Sequence, residues 1–157
     1  MKFILEHAKR SDADMACIFC DLQHVTAQSS HVLYRQSLAY VVLNIYPYNT
    51  GHLLIIPNRH CSELGDLSGA EHEVCGTLLA ESIRILKENL APHGFNIGMN
   101  LGRTAGAGIP DHLHYHVVPR WSGDTNFMPV VGDTRVLPES LESVYEKLAP
   151  SFEALVL

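Results

Sequence analysis

Three of the ten histidines in this 157-residue chain alternate with apolar residues within the segment 111–120. A period of two predicts a strand with unlike faces, so His112, His114 and His116 should share one face, and the apolar residues between them should share the other. Structural histidines usually occur singly, and packing gives no evident reason to place three side by side. Neutral imidazole is a nucleophile, a metal ligand and a proton carrier near neutral pH. The segment therefore predicts phosphoryl-type transfer, metal binding or both.

A second group of residues suited to chemistry is the pair Cys17 and Cys20, which stand three positions apart. This spacing is typical of metal and redox sites. Cysteines also fill protein cores, and a rival ligand set that uses Cys61 and Cys75 is possible. Cys75 falls on the apolar face of a predicted long helix, where burial explains it better. Four cysteines in a chain of this length do not form the pattern of a secreted disulfide framework.

The composition favours one compact domain, 1–157, with a core at about 15–121 and a C-terminal tail, 122–157. The formal charge is −6 and no lysine or arginine cluster is present, which argues against a general affinity for nucleic acid. A small anionic ligand is still compatible with this charge. The first ten residues lack the apolar run of a signal peptide or membrane span. We therefore expect a soluble, cytoplasmic protein that binds neither nucleic acid nor a membrane.

The elements that must position these residues are short and separated by frequent turn signals. Apolar runs predict strands at 39–43, 53–56 and 95–99, in addition to the histidine strand at 113–118. A capping box at Ser68 begins the clearest helix, which ends at Ala91, and a short helix is expected over 139–148. The fold class is α+β, with an antiparallel sheet of about five strands, one long helix and a short C-terminal helix.

The residues 112–118 match the His-φ-His-φ-His-φ-φ signature, where φ is apolar, and the chain thereby resembles the histidine triad superfamily of nucleotide hydrolases and transferases. That superfamily includes galactose-1-phosphate uridylyltransferases and diadenosine tetraphosphate phosphorylases. Further landmarks follow in the family's order, namely Cys17-Ile18-Phe19-Cys20, Gly51-His52 and Arg59-His60. The tail at 121–129 further resembles a bacterial subgroup that contains diadenosine polyphosphate hydrolases and phosphorylases. The resemblance implies a HIT-like fold.

The resemblance also implies a role for each site residue. His114 would attack the α-phosphate of an adenosine nucleotide or dinucleoside polyphosphate, forming a nucleotidyl-histidine intermediate. His116 would donate a hydrogen bond or proton to the bridging or leaving oxygen, and His52 would approach the same phosphate from the neighbouring strand. The remaining candidate nucleotide-binding residues are Asn44 at a ribose hydroxyl, Asn100, and the backbone N–H groups of Gly106, Ala107 and Gly108. From the residues alone, without the resemblance, Asn44 is better explained as a turn residue. His52 is then as consistent with a structural role as with a catalytic one.

The zinc-bearing branch of the family implies a metal site made of Cys17, Cys20, His60 and His112. In that case His112 is a structural metal ligand and takes no part in the chemistry. We expect one structural zinc that ties the N-terminal segment to the histidine strand. A site made of all three triad histidines ranks well behind, because alternate residues on a strand lie about 6.6 to 6.8 Å apart.

The loop before the histidine strand departs from the family's pattern. Many triad hydrolases carry glutamine and then serine or threonine there, and phosphorylases tend to carry Gly-Ser, whereas this chain has Ala107-Gly108. Water and phosphate therefore both stay open as the acceptor of the nucleotidyl group. A nucleotide-binding module with incidental catalysis is a further alternative. The family usually forms homodimers, in which Trp121 and Phe127 would help to close the partner's site.

Overall fold

The computed structural model describes residues 17–25, 30–125, 132 and 137–157. Within them, five strands form one antiparallel sheet in the order β1-β2-β3-β5-β4. The strands are β1 (Val32–Arg35), β2 (Ala39–Leu43), β3 (Leu53–Pro57), β4 (Gly94–Gly98) and β5 (Tyr115–Arg120), and the helices are α1 (Ile18–Leu22), α2 (Gly69–Leu90) and α3 (Leu141–Glu153). The predicted α+β class, with its long helix and C-terminal helix, is confirmed.

Some predictions fall on residues outside this description. They are the absence of a signal peptide in the first ten residues, the start of the core at about residue 15, and the role of Phe127. None of the helices in the described ranges combines the length and apolarity of a membrane span.

The two faces of the sheet bury different sets of side chains, because neighbouring residues on a strand point to opposite sides. The first face packs against α2 and α3 in the main core, which includes Val41, Ile55 and Val117. The second face is covered by Phe19 of α1, which packs with Tyr40, Val42, Leu54 and Ile56. His116 is paired with Leu54 and precedes Val117, so its side chain lies on the second face.

Helix α2 begins at a capping box in which the Ser68 hydroxyl accepts from the Glu71 N–H and the Glu71 carboxylate accepts from the Ser68 N–H. Glu71 is buried and also accepts two hydrogen bonds from Arg59, at 3.0 and 2.9 Å. The Arg59 bonds and then the Ser68 backbone bond lower the pKa of Glu71 to about 2. One carboxylate thus fixes both the start of α2 and the segment that follows β3, which carries His60.

The histidine strand is shorter at its start than predicted, since β5 begins at Tyr115 instead of residue 113 and continues to Arg120. Extending the register that pairs Ile55 with Tyr115 would place Leu113 opposite Pro57, which has no N–H to donate. The Leu113 N–H instead donates to the carbonyl of Cys61 at 2.8 Å. Leu113 accordingly packs in a separate small cluster with Cys61, whereas Tyr115 and Val117 contact the main core.

The C-terminal helix also differs from its predicted bounds, running over Leu141–Glu153 instead of 139–148. Ser140 caps its N-terminus by accepting from the Ser143 N–H at 3.2 Å. Pro150 lies inside the last turns and removes one intrahelical bond. The helix continues because Phe152, which is fully buried, packs in the main core.

A glycine directly before His52 has no room for a side chain. Gly51 has a φ of +74°, and a Cβ there would lie 2.6 Å from Leu90 Cδ1 and 3.3 Å from Leu86 Cδ2. We expect Gly51→Ala to lower the free energy of unfolding by about 2 kcal/mol, from the left-handed backbone and the crowding together. Urea denaturation of both proteins measures this difference. Gly65→Ala is the control, because a Cβ at Gly65 would meet nothing within 4 Å. Equal losses in the two variants would contradict the argument.

Candidate active site and metal cluster

The three triad histidines lie together on the second face of the sheet, against Phe19. The ring centroid of Phe19 is 5.6 Å from that of His112 and 5.0 Å from that of His114, and the His114 ring is 4.9 Å from that of His116. All three side chains are buried, with exposed fractions of 0%, 6% and 9% for His112, His114 and His116. Only His116 belongs to β5, and the rings of His112 and His114 both contact Phe19.

The ring of His112 is directed away from His114 and His116 and towards the Sγ atoms of Cys17 and Cys20. Its Nε2 lies 2.8 Å from the carbonyl oxygen of Pro57, and a carbonyl can only accept, so His112 carries its proton on Nε2. Its Nδ1 therefore has a free lone pair. That atom lies 3.3 Å from the Sγ of Cys17 and 3.6 Å from the Sγ of Cys20.

Four donor atoms form a cluster around this point, from Cys17, Cys20, His60 and His112, and all lie within 4.8 Å of one another. The Sγ of Cys20 is 3.4 Å from the Nδ1 of His60. A tetrahedral zinc ion, with Zn–S near 2.3 Å and Zn–N near 2.0 to 2.1 Å, requires S···N separations of about 3.5 Å. The sulfur–nitrogen distances of 3.3, 3.4 and 3.6 Å fit this requirement, so the cluster is suited to a metal ion.

Helix α1 supplies both sulfurs. Cys17 is its N-cap and Cys20 follows within the first turn, a spacing that places both thiols on the same side. Burial, and then the neighbouring Cys17, raise the pKa of the Cys20 thiol to about 11. A cation in contact with the two sulfur atoms would favour the thiolate form of each cysteine. The rival cysteines Cys61 and Cys75 are buried elsewhere, in two different hydrophobic clusters.

His114 is oriented by the backbone of His112. The Nδ1 of His114 lies 2.9 Å from the carbonyl oxygen of His112, so the neutral ring carries its proton on Nδ1 and leaves a lone pair on Nε2. Burial lowers the pKa of His114, and the His112 carbonyl opposes this shift in part. The arrangement presents a neutral imidazole with one nucleophilic nitrogen.

His52 and His116 form a direct pair. The Nε2 of His52, directly before β3, lies 2.9 Å from the Nδ1 of His116 on β5. His52 is fully buried, and the Nε2 of His116 is a buried atom with no hydrogen-bond partner among the described residues. Burial, and then the nearby His114, lower the pKa of His116 to about 4. A buried polar atom without a partner is costly, which is typical of a group reserved for a ligand.

Of the other predicted nucleotide-binding residues, Asn44 lies at the edge of this histidine group. Asn44 places its amide nitrogen 3.4 Å from the Nδ1 of His52 and accepts from the N–H of Tyr46 at 3.0 Å. Asn100 donates to the carbonyl of Gly106 at 3.4 Å, so it braces the glycine-rich loop.

In that loop the N–H of Gly106 donates to Arg103 and the N–H of Ala107 donates to Gly102. These two backbone donors, which the sequence suggested for phosphate, are thus directed back into the loop in this structure. The loop ends at Ile109, which packs against the cluster that contains Phe19 and Leu54, on the face that carries the histidines. The loop is close to the site, and among the described hydrogen bonds none takes the N–H of Gly108.

Tyr48 is a site residue that the sequence reasoning did not identify. Its ring centroid is 4.6 Å from that of His52 and 5.5 Å from that of His116, and its N–H donates to the Nδ1 of His52 at 3.0 Å. The signal was present, because an aromatic residue stands four positions before His52 in a turn-prone run. The run was interpreted only as a connection between strands.

Asp124 fixes the start of the C-terminal tail to the loop between β2 and β3, which carries Tyr48 and Asn49. This carboxylate accepts from Asn49 at 2.8 Å, from the N–H of Trp121 at 3.1 Å and from two nitrogens of Arg120. Asn49 also accepts from the N–H of His52 through its backbone carbonyl. Trp121 therefore lies at a defined position next to the loop that carries Tyr48 and His52.

The low pKa of His116 predicts a loss of stability in mild acid. Its pKa is about 4 in the folded protein, against 6.5 for an unperturbed histidine, so the unfolded chain binds more protons between these values. The free energy of unfolding should fall as the pH falls from 6.5 towards 4, and His116 should contribute about 2 to 3 kcal/mol of that loss. Urea denaturation at pH 6.5 and 4.5 measures it. A His116→Asn variant should show a smaller fall, and an equal fall would contradict the assignment.

Comparisons with known proteins agree with this geometry. A family model described as the HIT domain matches residues 25–123, a range that includes every histidine of the site but not Cys17 or Cys20. The AP-4-A phosphorylase of Mycobacterium tuberculosis is 42% identical over 139 residues, which cover 88% of this chain and 71% of the relative. The adenosine 5′-monophosphoramidase of Schizosaccharomyces pombe is 28% identical over 136 residues, which cover 86% of this chain and 97% of the relative.

A solved structure with a similar fold is the Zn-bound histidine triad family protein from Mycobacterium smegmatis. It aligns with a TM-score of 0.70 at 27% identity, covering 88% of this chain and 94% of that one. The agreement extends over most of the sheet and helices, and the resemblance noted in the sequence is thereby confirmed.

Proposed function

This chain belongs to the HIT family, and from that premise we propose that it is an enzyme that transfers the nucleotidyl group of a dinucleoside polyphosphate or related adenosine nucleotide. The observation that carries the proposal is the orientation of two buried histidines. His114 presents a lone pair on Nε2, and His116 presents a buried Nε2 that has no partner among the described residues. The relatives at 42% and 28% identity are both named as enzymes that act on adenosine compounds.

In the first step, the Nε2 lone pair of His114 attacks the α-phosphorus and forms an N–P bond. The bond between that phosphorus and the bridging oxygen breaks, and its electron pair leaves with the rest of the polyphosphate. The Nε2 of His116, on the same face, would donate a hydrogen bond to the departing oxygen, which leaves as an anion of the polyphosphate. The product is a nucleotidyl group on His114.

In the second step, an acceptor attacks the same phosphorus and releases His114. The relative at 42% identity is named AP-4-A phosphorylase, which favours phosphate as the acceptor in this chain. With diadenosine tetraphosphate the first step would release ATP and leave AMP on His114. Phosphate would then yield ADP, and water would yield AMP.

Incubation of the purified protein with diadenosine tetraphosphate tests the proposal and distinguishes the two acceptors. ADP that forms only when phosphate is added supports phosphorolysis, and AMP together with ATP in the absence of phosphate supports hydrolysis. Mass spectrometry after rapid quenching should show an added AMP on His114. The absence of every one of these products, in protein shown to be folded, would contradict the proposed function.

Other residues contribute to binding in this proposal. Asn44 would accept or donate a hydrogen bond at a ribose hydroxyl, and Asn100 would hold the loop of Gly106, Ala107 and Gly108 against the phosphates. The packing of Ile109 beside the histidine face supports the position of this loop. Because the N–H groups of Gly106 and Ala107 donate within the loop, the N–H of Gly108 would be the backbone donor left for a phosphate.

The metal cluster would hold one structural zinc ion, bound by Cys17, Cys20, His60 and His112. Its separations suit that ion, and the aligned protein from Mycobacterium smegmatis is described as Zn-bound. The ion would tie α1 to the end of β3 and to the segment before β5. The ring of His112 would then be a ligand of the structural ion, and its backbone carbonyl would orient the ring of His114.

A homodimer is also part of the proposal, supported by strand β4. This strand is at the edge of the sheet, and its side chain Ile97 is 49% exposed. Joining two such edges across a two-fold axis would satisfy their free backbone groups. Sedimentation analysis would detect the dimer.

All four cysteines are unpaired thiols, which favours a reducing compartment such as the cytoplasm.

A further inference from the structure

Tyr48 is the residue that contacts both members of the His52–His116 pair. Its backbone N–H lies 3.0 Å from the Nδ1 of His52, and its ring lies nearly parallel to that of His116, at an angle of 18°. Tyr48 is 46% exposed, whereas His52 and His116 are 0% and 9% exposed. The tyrosine ring thus forms the layer between the histidine pair and solvent.

The hydrogen bonds determine which nitrogen of His52 carries the proton. A backbone N–H can only donate, so the Nδ1 of His52 must accept from Tyr48. The amide of Asn44 provides a second donor, 3.4 Å from the same nitrogen. The orientation of that amide is fixed because its oxygen accepts from the N–H of Tyr46 at 3.0 Å. Neutral His52 therefore carries its proton on Nε2.

The proton position of His52 in turn determines that of His116. The Nε2–H of His52 donates to the Nδ1 of His116 across 2.9 Å, so Nδ1 is an acceptor. Neutral His116 then carries its proton on Nε2, the buried nitrogen that has no partner among the described residues. His116 is thereby a hydrogen-bond donor towards the reaction centre.

The ring of Tyr48 also controls the environment of His116. The titratable groups whose rings contact His116 are His52, His114 and Tyr48, and its neighbours across the sheet, Leu54 and Gly98, carry no charge. Removing the tyrosine ring would admit water to one face of the His116 imidazole. A better hydrated imidazole accepts a second proton more readily.

We propose that Tyr48 is a positioning residue, whose N–H sets the direction of the His52–His116 hydrogen bond and whose ring keeps His116 neutral, so that its Nδ1 stays the acceptor of that bond. The use of that proton for the leaving oxygen rests on the proposed function. The proton position itself is a property of the ligand-free protein. The two can therefore be tested separately.

The first test is ¹⁵N NMR of the histidine side chains in the ligand-free protein, above the pKa of His116. We expect the Nδ1 of His116 to be unprotonated and its Nε2 to be protonated, with the same pattern in His52. A neutral His116 that carries its proton on Nδ1 would overturn the proposal. This measurement needs no variant and no substrate.

The second test compares Tyr48→Ala with Tyr48→Phe, which keeps the ring and is the matched control. In Tyr48→Ala the pKa of His116, followed by NMR titration, should rise by about 1 unit or more towards 6.5. In Tyr48→Phe it should stay at the wild-type value. An unchanged His116 pKa in folded Tyr48→Ala would overturn the role of the ring, whereas the proton positions should stay the same, because the variant keeps the backbone N–H. If Tyr48→Ala does not fold, the wild-type proton positions still decide the proposal.

Kinetics with diadenosine tetraphosphate connect this role to the proposed function. Tyr48→Ala should lower kcat about tenfold while KM changes less, because the variant leaves the binding groups in place and removes the ring that stacks on His116 and holds its orientation. Tyr48→Phe, which keeps the ring, should lower kcat less than Tyr48→Ala does. A wild-type protein that turns over none of the nucleotide would contradict the proposed function, and the NMR result would still decide the role of Tyr48.

Discussion

Replacement of His114 by asparagine is expected to lower kcat with diadenosine tetraphosphate by about a thousandfold or more, because it removes the proposed nucleophile. Asparagine is similar in size, and its amide N–H can replace the donor that now lies 2.9 Å from the His112 carbonyl. The backbone of the site should therefore keep its shape. Rapid-quench kinetics measures the loss, and mass spectrometry should no longer detect an added AMP.

Two further measurements make the His114 result specific. Calorimetric titration with a nonhydrolysable nucleotide should show that the variant still binds, which separates an enzyme from a module whose output is binding. His72→Asn is the matched control, since His72 is an exposed residue on α2 and should leave kcat unchanged. Turnover that survives in His114→Asn would exclude the nucleophile assignment.

Replacement of Cys20 by alanine should remove the bound metal and lower the free energy of unfolding by roughly several kcal/mol. The reason is that a structural ion binds only the folded protein, so its binding free energy adds to the stability of the fold. Cys20 is the central ligand of the cluster, 3.4 Å from the Nδ1 of His60 and 3.6 Å from the Nδ1 of His112. Elemental analysis of protein purified without added metal should give about one zinc per wild-type chain. Calorimetric melting should show a lower Tm for the variant.

Cys75→Ala is the control for the metal prediction. Cys75 is 1% exposed and belongs to the main core, away from the metal cluster. Its replacement should reduce stability through lost packing while the zinc content stays at the wild-type level. Wild-type protein that contains no zinc, with the Cys17 and Cys20 thiols intact, would contradict the structural-zinc proposal.

The parts of the fold that the sequence predicted best are those with strong local signals. The capping box at Ser68 and the apolar periodicity gave the long helix, and the run closed by Pro57 gave the central strand. Strand β1 was not separated from β2, because the connection at 36–38 contains no glycine, proline, asparagine or aspartate. That turn is held by long-range bonds, in which Asn58 donates to the carbonyls of Gln36 and Leu38.

In the candidate site, too, the features with a local sequence signal were predicted, and those that depend on contacts between distant residues were not. Residue types and the family resemblance indicated the metal cluster, and its four side chains do lie together. The different orientations of His112 and His114 depend on where β5 begins. That point is set by the missing N–H of Pro57, more than fifty residues earlier in the chain. The contacts of Tyr48 depend on the path of a loop, which no alternation or spacing specifies.

The metal cluster joins residues that are 95 positions apart, Cys17 and His112. Helix α1 has only five residues, too few to be stable before it docks, and its partners are the end of β3 and the segment before β5. The order of folding should follow from this. The sheet and α2 must assemble first, and α1 closes onto them afterwards as the last step. During synthesis the thiols would emerge first, and His112 would follow Cys17 only after a further 95 of the 157 residues.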